Sequence, residues 1–539
     1  MSIKREIGDR AGEGITLNGI GSVYYKLGQY SQALKRHNQA LFISQEIDNR
    51  ASEQTSLVNV GSIYSQLGQY PQALEYYERA LMIAREIGDR AGEGATLVNI
   101  GGTYSDLSHY SQALEYYKQA LPIKREVGDR AGEGIALNNI GSSYNALGQY
   151  PQASEYYNQA LSISREVGDR ALEGSTLNNI GDILLKSNQL SDAETHFLQS
   201  ISILEVIRDR NLGDESKVAL FETQRHTYRD LQRVLIAQGK EESALEISER
   251  SRARALVEQL GTQLLDSKKT SINTVSPSFQ KIQSIAQNQR ATLIEYSVIN
   301  PPVGDPALYI WVISPDGNLT FRQVDLTNIN LSNLVASSRN AIGARSRATI
   351  TLEPTAAARQ QQQADLKQLH QLLIDPIAVL LPTDPNQPVV FIPQDELFLV
   401  PFTALLDEND QHLIQKHTIL TAPSIQVLDL TQKQQTQLGP LDLATLNPLD
   451  ALLVGNPTMP NVYNPTSDSL EQLPPLSGAG DEAITIGNEL GVTPLIGDAA
   501  TEATVKAQIE NARLIHLATH GLLDYGDPKE TGVDDIPGA

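Results

Sequence analysis

The 539-residue sequence contains no cysteine. Disulfides, thiolate metal sites and catalysis by a cysteine of this chain are therefore excluded. Long apolar runs are also missing: stretches such as Ala451 to Val454 or Ile377 to Leu381 are far too short to span a bilayer. The N-terminal Met-Ser-Ile-Lys-Arg-Glu has no apolar signal-peptide core, so a cytoplasmic location is expected. Basic residues are in deficit, 42 against 64 acidic ones, for a formal net charge of -22. This disfavours nucleic acid as a partner, because phosphate binding relies on Lys and Arg displacing counterions. The composition, 40% hydrophobic and 20% charged, suits globular domains rather than disorder, and the length calls for more than one.

What is present first is a repeat. The phrase Glu-Ile/Val-Gly-Asp-Arg-Ala recurs at Glu6, Glu86, Glu126 and Glu166, with a variant at Glu46, and sets a period of 40 residues. Gly21, Gly61, Gly101, Gly141 and Gly181 fall in register, as do Tyr24, Tyr64, Tyr104 and Tyr144, and Ala33, Ala73, Ala113 and Ala153. Such self-similarity predicts a solenoid whose units bury their apolar faces against their neighbours. Within a unit, Leu137, Ile140, Tyr144 and Leu147 have helical spacing, Leu147-Gly148-Gln149-Tyr150 reads as a turn, and Ala153, Tyr157, Ala160 and Leu161 stripe a second helix. The repeated tyrosines read as core.

The pattern Gly21, Tyr24, Gly28, Tyr30, Ala33 and Ala40 resembles the tetratricopeptide repeat, with Ser108 the one substitution through four units. The usual closing proline is missing and the period exceeds the usual length, so extended second helices are expected. The fifth unit departs at Leu184 and Asn188, as a terminal unit does. Ile3 to Gly8 match the end of a second helix, so a repeat upstream of Met1 is expected. Two residues before each repeat glycine stand Asn59, Asn99, Asn139 and Asn179, with Gly19 in the first unit. Asn is a poor interior helix residue, yet its amide can hold the backbone of an extended peptide. In arrays of this kind the position faces the concave groove, which implies a protein or peptide partner there. Duplication without function, or a bond to the next helix, accounts for the Asn equally well.

Phe221 to Leu260 continues in helical pattern, with Tyr228, Leu231, Leu235, Gly239, Ala244 and Ile247 as one divergent repeat. Ser248 to Leu256 is a basic stretch; a solvated helix face is the favoured reading, contact with an acidic surface the other. Asp266 to Ser278 is polar and reads as a linker. Beyond it the pattern becomes α/β. Leu308–Ile313 and Leu319–Val324 read as a hairpin, Arg359–Leu373 as a helix, Val389–Pro393 and Ala451–Pro457 as strands, Glu482–Leu490 and Val505–Ile509 as helices, and Leu514–Ala518 as a strand. Gln432 to Asp450 reads as an insertion or flexible loop. Alternating elements predict a mostly parallel sheet. The expected organisation is an array over 1–212, a divergent repeat and junction over 213–265, a linker over 266–279 and an α/β domain over 280–539.

Ile392-Pro393-Gln394-Asp395-Glu396-Leu397, Pro401-Phe402-Thr403-Ala404-Leu405, Ala422-Pro423-Ser424, Val454-Gly455-Asn456-Pro457 and His516-Leu517-Ala518-Thr519-His520-Gly521 follow in that order. Together they resemble the CHAT domain, the caspase-related domain associated with tetratricopeptide repeats. The resemblance implies that His520 is the catalytic base and Gly521 an oxyanion N–H donor, with His516 structural, and it implies no cofactor. A histidine activates a cysteine thiol whose ordinary pKa is near ~8.5, and this chain has no such thiol. The family's cysteine ends the strand after this one, so the expectation is a fragment of a longer protein. His516 and His520, four apart, would suit zinc on a helix; straddling a strand end with no Glu after the first, they do not read as metal ligands. No Gly-x-Ser-x-Gly elbow offers a serine instead. Two functions stay open: an array that recruits partners to a cysteine peptidase inactive in this chain, or a pseudo-protease scaffold acting only by binding.

Overall fold

The computed structural model describes residue 4 and residues 8–208, 214–252, 278–301, 304–340, 356–438, 446–458, 461–464, 469–472, 478–509 and 512–518. The chain divides into two compact units, Met1–Leu430 and Thr431–Ala539.

The first unit opens with paired helices: α1 (Arg10–Lys26) and α2 (Tyr30–Glu46), α3 (Arg50–Gln66) and α4 (Tyr70–Ile87), α5 (Arg90–Asp106) and α6 (Tyr110–Glu126), α7 (Arg130–Ala146) and α8 (Tyr150–Val167), α9 (Arg170–Lys186) and α10 (Leu190–Arg208). The recurrent phrase explains the joints between pairs. Gly88 takes a left-handed φ of 72° and closes α4, and Asp89 caps α5 by accepting from the Gly92 N–H at 2.9 Å. Arg90 then bonds Glu93 on its own helix and Glu126 at the end of α6, the latter at 2.7 Å, closing the pair. Glu93 also accepts from Arg85 of the preceding pair at 2.8 Å, which ties unit to unit. The arrangement repeats from Arg50 to Arg130.

The in-register glycine has a steric cause. A Cβ on Gly101 would stand 2.7 Å from the Tyr117 ring, and one on Gly141 would stand 2.6 Å from the Tyr157 ring. The ring of each second helix lies directly on the first helix, with His37 and Phe197 taking the ring's place on Gly21 and Gly181. Tyr64, Tyr104 and Tyr144 are half-buried and stack on Tyr76, Tyr116 and Tyr156 at 5.3–5.5 Å.

These pairings predict an acid-labile array. Hydrogen bonds from Arg50, Arg90 and Arg130 hold the Glu86, Glu126 and Glu166 carboxyls below the usual carboxylate range. Burial lowers His37 to about 4. All four groups bind fewer protons folded than unfolded, so their contributions are present at neutral pH and lost on acidification. The His37 part falls between the unfolded value of about 6.5 and 4, and the glutamate part below about 4.3. Melting temperature against pH should show both phases, and His37→Tyr, which restores the neighbours' residue, should remove the upper one.

The divergent repeat forms α11 (Asp214–Ala237) and α12 (Glu241–Arg250), turning at Gly239. Then come α13 (Phe279–Gln289), β1 (Thr292–Ile299), β2 (Ala307–Ile313), β3 (Leu319–Asp325), α14 (Leu331–Asn340), α15 (Ala356–Leu373), β4 (Pro388–Ile392), β5 (Thr418–Thr421) and α16 (Ile425–Leu438). Sheet order is β3-β2-β1-β4-β5, antiparallel from β3 to β1 and parallel from β1 to β5. The fully buried β1 is central. Residues 266–277 of the expected linker lie outside the described residues; Ser278 caps α13. Gln432 to Leu438, expected as loop, is helical: Glu249 and Ser424 cap the first turn of α16, and a nucleated helix propagates into the Gln-rich run.

The last array helices share one core with this sheet. Phe197, Tyr228, Leu235 and Ile247 pack with Phe279, Leu293, Trp311 and Ile425. Arg252 corrects the expectation of a solvated basic face: it is 5% exposed, donating to Glu295 at 2.9 Å and to the carbonyls of Tyr296 and Pro393. Arg250 pairs with Glu205, and Arg225 and Arg229 with Asp395.

In the second unit β6 (Ala451–Pro457) lies between β10 (Leu514–Ala518) and β9 (Leu495–Gly497), all parallel. A β7–β8 hairpin (Asn461–Asn464, Ser469–Gln472) and helices α17 (Ala479–Leu490) and α18 (Glu502–Ile509) complete it. The array followed by a mostly parallel α/β fold is the architecture expected from sequence.

Candidate functional site

Each first helix packs against the first helix of the next pair, whereas second helices do not approach each other as closely. First helices therefore line the inner side of the array. On α5, Asn99, Gly102 and Asp106 share one face, at i, i+3 and i+7. The equivalent faces carry Asn59, Ser62 and Gln66 on α3, Asn139, Ser142 and Ala146 on α7, and Asn179, Asp182 and Lys186 on α9.

All four asparagines are half-buried, and their surroundings divide them. Asn179 donates to Asn138 Oδ1 at 3.1 Å, which also accepts from Thr176 at 3.1 Å, so this amide ties α9 to α7. Asn59 Nδ2 lies 3.4 Å from His37 Nδ1. The side chains of Asn99 and Asn139 bond to no other described residue. Beyond the helical backbone bonds, their carbonyls accept from the Thr103 and Ser143 hydroxyls at 3.0 Å. Between α7 and α9 the inner face is more polar still: Asn145 donates to Asp182 at 2.8 Å, and Lys186 bonds both. Asn138, Asn145 and Asp182 were missed by sequence reasoning; the signal was that Asn138 and Asn145 share one face of α7, at i and i+7, and that Asp182 shares the face of Asn179, at i+3.

His520 and Gly521 lie outside the described residues. The strand leading to them does not. β10 pairs with β6 in register His516↔Leu453, and His516 Nε2 lies 3.3 Å from Glu482 of α17. Among the described residues no group of His, Asp and Glu could hold a metal ion, and no helix is long and apolar enough to cross a membrane.

The CHAT domain family matches residues 363–533, and a tetratricopeptide-repeat family matches residues 52–126 and 133–205. The chain carries tetratricopeptide repeats followed by a CHAT domain. Tetratricopeptide repeat protein 28 of Homo sapiens and that of Mus musculus are each 24% identical over 408 residues, which cover 57% of this chain and 16% of the relative. The chain thus spans only a small part of these relatives' length. Among solved structures, BtubC from P. vanneervenii is 17% identical with a TM-score of 0.36, covering 46% of this chain and 95% of that one. A Rap protein complexed with competence and sporulation factor is 18% identical with a TM-score of 0.35, covering 44% and 74%.

Proposed function

We propose that the tetratricopeptide array captures an extended segment of a partner protein in its concave groove, with Asn99 and Asn139 holding the segment's backbone. The observation that carries this is the state of those two amides: half-buried on the inner face, one repeat apart, and engaged by no other described residue. Each offers a carbonyl acceptor and an NH₂ donor, the pair of groups a peptide unit needs. Neighbouring first helices at packing distance, roughly 8–10 Å, match about three residues of extended chain. Asn59 and Asn179 extend the line of contacts at either end.

In the CHAT domain we assign His520 the place of general base and the Gly521 N–H that of oxyanion donor, on the family motif. With no cysteine in the sequence, the imidazole has no thiol to deprotonate. This chain by itself then acts by binding, in keeping with a pseudo-protease scaffold or with the recruiting part of a peptidase whose nucleophile lies elsewhere. A cytoplasmic location and the absence of nucleic-acid partners belong to the same reading.

The test is binding of fluorescein-labelled peptides to the full chain by anisotropy. Asn99→Ala with Asn139→Ala should weaken binding about tenfold or more, since each removes hydrogen bonds worth about 1 kcal/mol. The melting temperature should hold, because neither amide supports another residue. Unchanged affinity in the double variant would refute the groove.

A further inference from the structure

The third repeat departs from its neighbours at two positions of the inner face, and the departures meet. In α3 and α7 the serine of that face accepts the tyrosine hydroxyl of its own unit: Tyr77 to Ser62 at 3.1 Å, Tyr157 to Ser142 at 3.2 Å. In α5 the residue is Gly102. Tyr117 is 3% exposed, its ring lies on Gly101, and its Oη is 3.8 Å from where a Cβ of Gly102 would stand. Nothing else occupies that space within 4 Å. The Tyr117 hydroxyl therefore has no partner among the described residues and faces a notch left by the missing side chain.

Asp106 stands one turn further along the same face. In α9 the position of Asp106 is taken by Lys186, which bonds Asp182, the residue at the place of Gly102, at 2.6 Å, and Asn145 donates to the same carboxylate at 2.8 Å. Asp106 is bonded to no described residue, and no basic residue stands at the equivalent positions of α3, α5 or α7. Partial burial raises its carboxyl above the ordinary value. Burial first, and then the charge of Asp106, raise the Tyr117 hydroxyl, and Asp106 follows Gly102 at i+4 on the same helical face.

Resting on the groove reading above, we propose that the Gly102 notch receives a cationic side chain, lysine or arginine, from the captured segment. Asp106 supplies the charge and Tyr117 Oη a second acceptor. Asn99 lies seven residues before Asp106, roughly 10 Å along the axis. This separation suits a backbone held at Asn99 and a long side chain reaching across Gly102 to the carboxylate. A charge-assisted bond is stronger than its neutral equivalents.

The test uses the full chain and fluorescein-labelled ten-residue peptides, each made in a Lys form and an otherwise identical Met form. Wild type should bind Lys forms about tenfold tighter. Asp106→Asn should abolish that preference while leaving Met-form affinity unchanged. Gly102→Ser, which fills the notch and gives Tyr117 the partner its neighbours have, should also abolish it with the melting temperature held or raised. Equal binding of Lys and Met forms by wild type, or a preference that survives both substitutions, overturns the notch while leaving the groove intact. Absence of binding, or binding indifferent to Asn99→Ala with Asn139→Ala, overturns the groove itself.

Discussion

Arg252→Met should lower the stability of the first unit by about 3–5 kcal/mol, the usual cost of leaving buried charge without its counter-charge. Arg252 is the cation facing two buried carboxylates. Glu295, at 0% exposure on β1, takes its Nε, and Glu249 on α12 stands beside both while accepting from the Ile425 and Gln426 N–H groups at 3.0 and 3.3 Å. Among charged residues of neighbouring elements, Arg250 pairs with Glu205, Lys281 with Asp429, and Asp395 with Arg229. Burial, reinforced by Glu295, raises Glu249 well above the ordinary value. Glu249 thus binds more protons folded than unfolded. Its contribution is fully present below the unfolded value of about 4.3 and is lost as pH rises through the folded one. Denaturation followed by Trp311, the single tryptophan and part of the same core, reads both effects. Glu249→Gln, which mimics the protonated carboxyl, should flatten the alkaline side. Replacing Arg252, Glu249 and Glu295 together with apolar residues should recover most of the loss. A stable Arg252→Met variant with wild-type pH dependence would contradict this picture.

The second large effect is expected in the array. Gly141→Ala sets a methyl 2.6 Å from the Tyr157 ring, which is 1% exposed and held at its hydroxyl by Ser142. The ring cannot turn aside without leaving the core between units, so overpacking should cost about 1–3 kcal/mol. A double-mutant cycle with Tyr157→Ala should show strong coupling, because with the ring gone the methyl fits. Additive losses would mean that the ring does not set the glycine.

These two sites differ in how far the sequence disclosed them. The glycine register was visible because the close approach recurs with every repeat and duplication wrote it out several times. So were the strands β4, β6 and β10, whose apolar runs end at turn residues. β1 was not read: Glu295 and Ser297 interrupt its apolar run, and both are buried polar residues of a central strand. Arg252 was misread for a related reason. A run of charges normally means solvent, and only the fold shows that one of them enters the core to meet Glu295. The notch at Gly102 lay in plain view as an exception to the repeat, yet it acquires meaning only once Tyr117 is known to lie beneath it.

The central claim is capture on the inner face of the array. Hydrogen–deuterium exchange of the full chain, with and without the tightest peptide of the labelled set, tests it most directly. Protection confined to first helices, greatest in Arg90–Asp106 and Arg130–Ala146, is the predicted result. Protection on the second helices with none on the first would contradict it.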